Sequence, residues 1–177
     1  MMPLRVNHWV GSLIGRYLYF TNSDSKAVVR KNIQACFSQI DKKSQEELIK
    51  KSLIETGKGL SETGYIWLKS FKENQAEITK TIGIEQLDSD RPVILLVPHF
   101  GCWEITGRVV SLLKPTTFLY KPLKKSSQEK LLIANRQQGD LSMATADKKG
   151  VIQLQRAIKN QEIIGILPDQ DPGEEGG

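Results

Sequence analysis

Pro92-Val93-Ile94-Leu95-Leu96-Val97-Pro98-His99-Phe100-Gly101-Cys102-Trp103-Glu104 is the stretch that decides the fold. Its run of apolar residues from Val93 to Val97, rich in β-branched side chains and bounded by Pro92 and Pro98, reads as a buried strand. Gly101 permits a tight turn after it, and a helix follows over Trp103 to Leu113. Further along, Thr116–Tyr120 and Ile163–Leu167 have strand character and Val151–Lys159 has helical character. Between them Ser126–Gln138 reads as a helix opened by the capping box Ser126-x-x-Glu129. Strands alternating with helices imply an α/β layer built on a mainly parallel sheet.

Upstream the rhythm is different. The first ~70 residues read as helical, with a second capping box at Ser44-x-x-Glu47 and a helix from Ser44 to Ser70. Each glycine inside that helix (Gly57, Gly59, Gly64) costs about 1 kcal/mol relative to Ala, marking either close packing or a break. His8 to Phe20 carries an apolar stripe (Trp9, Val10, Leu13, Ile14, Tyr17, Leu18, Phe20) of helical period. It fits a core helix or an interfacial one, and the core reading is favoured because Arg5 and Arg16 are too few for a strongly basic polar face. The expected organisation is a single domain over 1–177, helical over 1–90 and α/β over 91–177.

With 177 residues, 39% hydrophobic and 25% charged, the chain is long enough for one core, which excludes a disordered or fibrous protein. No apolar run approaches the ~20 residues of a membrane span, and the start lacks the pattern of a secretory signal. Cys36 and Cys102 allow at most one disulfide, and with His8 and His99 they show no zinc-site spacing, so no metal is expected. After Leu167 the chain runs through an acidic, turn-rich loop to Gly177 with no further element to cover the sheet, which reads as a fragment.

The net charge is +5, and nine basic residues face three acidic ones between Lys121 and Asn160. Such a stretch is either a solvated helix face or a site for an anionic partner. Nucleic acid is disfavoured, because no aromatic interleaves the basic residues of Lys121 to Asn160 to stack on bases.

The strand delivers His99 to its C-terminal end, where open α/β sheets bind ligands, and the helix after the turn carries Glu104. An imidazole suits proton abstraction near neutrality, and a carboxylate on its other ring nitrogen fixes the tautomer. The alternative is a structural histidine with Glu104 as a first-turn acid favoured by the helix dipole. Asp169 and Asp171 fall on the same sheet edge as His99 if the sheet is parallel, and serve either to orient a basic group or substrate or as plain turn formers. Cys102, beside His99, could be read as a thiol nucleophile, but nothing else argues for a thiolate, and the single glycine after the strand disfavours a phosphate-cradling loop.

His99-x-x-x-x-Glu104 at a strand-to-helix turn resembles the HxxxxD/E motif of glycerolipid and lysophospholipid acyltransferases. The wider sequence resembles one branch, the bacterial lipid A biosynthesis late acyltransferases of lauroyl and myristoyl type. Glu62 and Trp67, Tyr120-Lys121-Pro122, Asn135-Arg136 with Gly139, and Leu167-Pro168-Asp169-Gln170-Asp171 carry the likeness further. Members of that branch have an apolar N-terminal anchor and about a hundred more residues at the C-terminal end. The resemblance implies transfer of a fatty acyl chain from an acyl carrier protein thioester to a hydroxyl of an anionic, Kdo-bearing lipid A precursor, at the cytoplasmic face of the bacterial inner membrane. It further implies His99 as base with Glu104 in support, and Lys121, Arg136, Asp169 and Asp171 as substrate-binding residues. Lys124, Lys125 and Lys130 would meet the acidic carrier protein, and no cofactor beyond the carrier thioester is implied. The competing readings are a non-catalytic lipid- or carrier-binding fragment and a different lysolipid acyltransferase.

Overall fold

The computed structural model describes residues 3–123 and 125–169. The chain forms a helical N-terminal part followed by a four-stranded parallel sheet flanked by helices. It divides into two compact units, Met1–Leu68 and Lys69–Gly177, so the division falls before the change of rhythm at Arg91.

The first unit holds α1 (Leu4–Phe20), α2 (Asp24–Cys36) and α3 (Lys42–Trp67). α1 lies on α3 through its small and polar residues: Asn7, Gly11 and Gly15 are buried. A side-chain carbon on Gly57 would sit 2.2 Å from the Gly11 carbonyl oxygen, so this glycine marks close packing. One on Gly59 or Gly64 would meet nothing within 4 Å. Asn7 Nδ2 donates to Ser61 Oγ at 3.2 Å, and His8 Nε2 meets Glu62 Oε1 at 2.5 Å. The apolar stripe of α1 therefore faces outward, with Trp9 63%, Tyr17 68% and Phe20 75% exposed, and the core reading of it is corrected. Glycines permit the close helix approach that large side chains forbid, so the stripe is displaced to the far side.

α3 begins earlier than its capping box implies. Asp41 is the N-cap and accepts from the amides of Lys43 and Ser44, while the Ser44 hydroxyl donates to the same carboxylate. Those bonds hold the Asp41 carboxyl below the usual carboxylate range.

The second unit opens with α4 (Phe71–Ala76), whose N-cap Ser70 forms a reciprocal capping box with Glu73. Then come β1 (Val93–Leu96), α5 (Glu104–Val110), β2 (Thr116–Tyr120), α6 (Ser126–Arg136), β3 (Leu141–Thr145), α7 (Lys148–Lys159) and β4 (Ile163–Ile166). The strand order is β1-β4-β2-β3. With this order, the right-handed rule for parallel crossovers assigns α5 and α6 to one face of the sheet and α7, which leads back to the inserted β4, to the other. Val97, Val110, Phe118, Leu141 and Ile163 form the core. β1 is an edge strand with one open face, Ile94 and Leu96 being exposed, which corrects its reading as fully buried. No helix of the described residues is long and apolar enough to cross a membrane.

Candidate active site

The site is built by sheet register. β1 and β4 pair in parallel from Val93 with Ile163 to Leu96 with Ile166, and the Val97 amide still reaches the Ile166 carbonyl at 2.8 Å. The same spacing of 70 residues, carried past the strand ends, sets Asp169 opposite His99. The His99 amide donates to Asp169 Oδ2 at 2.9 Å, and His99 Nδ1 meets Asp169 Oδ1 at 3.0 Å. The His99 side-chain bond and, less strongly, the His99 amide hold the Asp169 carboxyl below its ordinary range. An ionised carboxylate only accepts, so the bond is donated by Nδ1–H, which in the neutral ring leaves the lone pair on Nε2. Gly101, at φ +59°, makes the turn that follows, and the Trp103 ring packs edge-on against the imidazole with centroids 4.9 Å apart.

Glu104 does not take the second ring nitrogen of His99, and the expectation that it would is corrected. As the first residue of α5 it pairs with Arg136, the last of α6: Nε donates to Glu104 Oε2 at 3.0 Å, and Nη2 donates to Oε1. A fixed cation with a two-pronged fork binds a carboxylate more strongly than a neutral imidazole does. The Arg136 guanidinium also lies over the Trp103 ring, 4.9 Å from its centroid. One turn along α5, Arg108 is buried with 2% exposure and donates to the carbonyls of Lys69 and Asn135, both at 2.7 Å. Burial lowers its pKa and Glu104 opposes the shift. Sequence reading missed Arg108, because a lone arginine in a helix carries no sign of being inside.

His99, Trp103, Glu104 and Arg136 open on a cavity of about 470 Å³, whose other walls are mainly apolar: Phe118 and Leu119 of β2, Leu141 and Met143 of β3, Leu132 of α6 and Leu167 after β4. Gly165 gives the Phe118 ring its place, since a side-chain carbon there would fall 2.4 Å from ring atoms. Tyr120 on the rim donates to Glu129 Oε1 at 2.9 Å; burial first, then that bond, push the phenol up to about 12. Glu129 is thus occupied by Tyr120, and α6 has Lys125 as N-cap with no side-chain cap bond, so the Ser126 capping box is not formed. Lys121 lines the cavity at its exposed end, and Lys125 and Lys130 are exposed at and on α6. Lys124 and Asp171 lie outside the described residues. Among the described residues no three metal-ligating side chains cluster.

A parallel sheet with a histidine–aspartate pair at its C-terminal edge, beside an apolar cavity, has the layout of a ligand-binding site of an open α/β fold. The family model for bacterial lipid A biosynthesis acyltransferases matches residues 1–177, and the chain belongs to that family. It is 26% identical over 183 residues to the lipid A biosynthesis palmitoleoyltransferase of Escherichia coli, covering 99% of this chain and 58% of that protein. To the E. coli lipid A biosynthesis lauroyltransferase it is 27% identical over 178 residues, 97% of this chain and 56% of the relative. A Haemophilus influenzae lipid A biosynthesis acyltransferase is 25% identical over 149 residues, 83% of this chain and 47% of the relative. The chain thus spans about half the length of these relatives.

Proposed function

We propose that the chain carries the reacting groups of an acyltransferase that moves a fatty acyl chain from an acyl carrier protein thioester to a hydroxyl of a Kdo-bearing lipid A precursor. The observation that carries this reading is His99, tied through Nδ1 to Asp169, opening on an apolar cavity. Nε2 of His99 takes the proton as the acceptor oxygen attacks the thioester carbonyl carbon. Asp169 holds the ring and offsets the imidazolium charge. The tetrahedral intermediate collapses, the carbon–sulfur bond breaks, and the imidazolium returns the proton to the leaving thiolate. No covalent enzyme intermediate or cofactor is needed, since the acceptor hydroxyl is the nucleophile. Glu104 acts through Arg136, fixing a cation beside the reacting carbonyl; with Lys121 that cation also suits the phosphates of the acceptor.

Lys125 and Lys130 give an acidic carrier protein a basic landing surface. The outward apolar stripe of α1 supports a seat on the inner-membrane surface at its cytoplasmic face. The test is mass spectrometry of a lipid A precursor incubated with acyl carrier thioester and this chain. A chimaera completed with the uncovered part of the E. coli lauroyltransferase and its His99→Ala version run in parallel. Gain of one acyl mass that His99→Ala abolishes is the expected result. Turnover that survives His99→Ala overturns the base, and carrier or lipid binding without turnover in either form favours the non-catalytic reading.

A further inference from the structure

We propose that Gly107 sets the acyl chain length the cavity accepts; the inference rests on the reading of that cavity as the acyl site. Gly107 is the fourth residue of α5 and the one glycine among the residues lining the cavity. Its backbone is ordinary helix, so conformation does not call for glycine, and in a helix interior glycine costs about 1 kcal/mol against alanine. What the position uses is the missing side chain. A carbon added there would stand 3.3 Å from Leu141 Cδ2 and 3.4 Å from Phe118 Cε2, the two cavity residues that are almost wholly buried. Lys121 and Leu123 lie at the solvent-exposed end of the same cavity. Gly107, Phe118 and Leu141 therefore form the closed end, where the tip of an alkyl chain entering past His99 would stop.

A methyl on Gly107 meets Leu141 and Phe118 directly, so it acts on the chain by pressing those two side chains into the closed end, which loses about the room of one methylene. Leu141 must give by a few tenths of an ångström, and circular dichroism reads whether the alanine variant keeps the fold. Because each buried methylene contributes about 0.8 kcal/mol, the chain that just fills the cavity should bind about fourfold more weakly to Gly107→Ala, while shorter chains are unaffected. Leu141→Val, which trims the side chain packed against Gly107, should move the preference the other way. The double variant should return it.

The experiment is displacement of a fluorescent fatty acid from this chain by saturated fatty acids from octanoate to palmitate, with circular dichroism of each variant. A length optimum that shortens in Gly107→Ala and lengthens in Leu141→Val supports the proposal. An optimum unchanged in both folded variants overturns it while leaving the acyl-site reading intact. If Gly107→Ala fails to fold, Leu141→Val decides alone. Wild-type chain that binds no fatty acid of any length overturns the acyl-site reading and the proposal with it.

Discussion

His99 and Asp169 meet because two parallel strands keep register beyond their last ladder pair. Asp169→Asn keeps the shape but loses the charged acceptor, so Nδ1 is no longer fixed as the donor. Acyl transfer in the chimaera should fall about 10²–10⁴-fold with little change in KM, a split read from initial rates. The folded pKa of Asp169 is depressed, so the stability it contributes is present above the usual carboxylate pKa and fades as pH drops through the lower folded value. Acid titration should therefore show wild type losing stability relative to Asp169→Asn only in the acid range below about pH 4. Arg108 presents the opposite case, a buried cation that donates to the carbonyls of Lys69 and Asn135. Arg108→Met should cost about 3–5 kcal/mol in urea denaturation, and a loss within 1 kcal/mol of zero would show that the guanidinium is not holding α4 and α6 to α5. At this scale the sequence made His99 and Asp169 legible as edge residues. It mispaired Glu104, because a five-residue spacing draws attention to a near neighbour while Arg136 approaches from a different helix.

Helices and strands show where local signals stop being sufficient. β2 and the body of β4 are readable from their β-branched and aromatic content, and the parallel sheet follows from alternation. β3, Leu141-Ser-Met-Ala-Thr145, gives no strand signal, since its small and polar residues are held in the sheet by β2 rather than by propensity. A Ser-x-x-Glu pattern recurs along the chain, and competing partners, local or tertiary, decide which one caps. At Ser44 the carboxylate of Asp41 captures the first amides, and at Ser126 the Glu129 carboxylate is committed to Tyr120. At Ser70 both halves of the box form. Ser70→Ala should accordingly lower stability by about 1 kcal/mol, whereas Ser126→Ala should stay within about 0.5 kcal/mol of wild type. Equal losses in thermal melts of the two variants would mean that α6 is capped by Ser126 after all.

Across the whole molecule, the distribution of polarity sets the behaviour of the first unit more than the sum of the composition does. The α1 stripe reads as core from sequence because Arg5 and Arg16 are too few for the strongly basic polar face of an interfacial helix. Here Asn7, Gly11 and Gly15 occupy the inward side, and Trp9, Leu13, Tyr17 and Phe20 are left facing out. Leaving such a stripe in water forgoes about 25 cal/mol for each Å² that a lipid surface would cover. With a net charge of +5, anionic lipid adds attraction to the same contact. The chain should therefore pellet with phosphatidylglycerol-containing vesicles, and part of that binding should persist in high salt, where electrostatic attraction is screened. Replacing Trp9, Tyr17 and Phe20 together by Ser leaves the glycine contacts with α3 untouched, so helicity should be unchanged while partitioning weakens about ten- to a hundredfold. Wild-type chain that stays in the supernatant, or a triple variant that pellets as well as wild type, would remove α1 from the membrane contact and leave its outward stripe to be covered by protein instead.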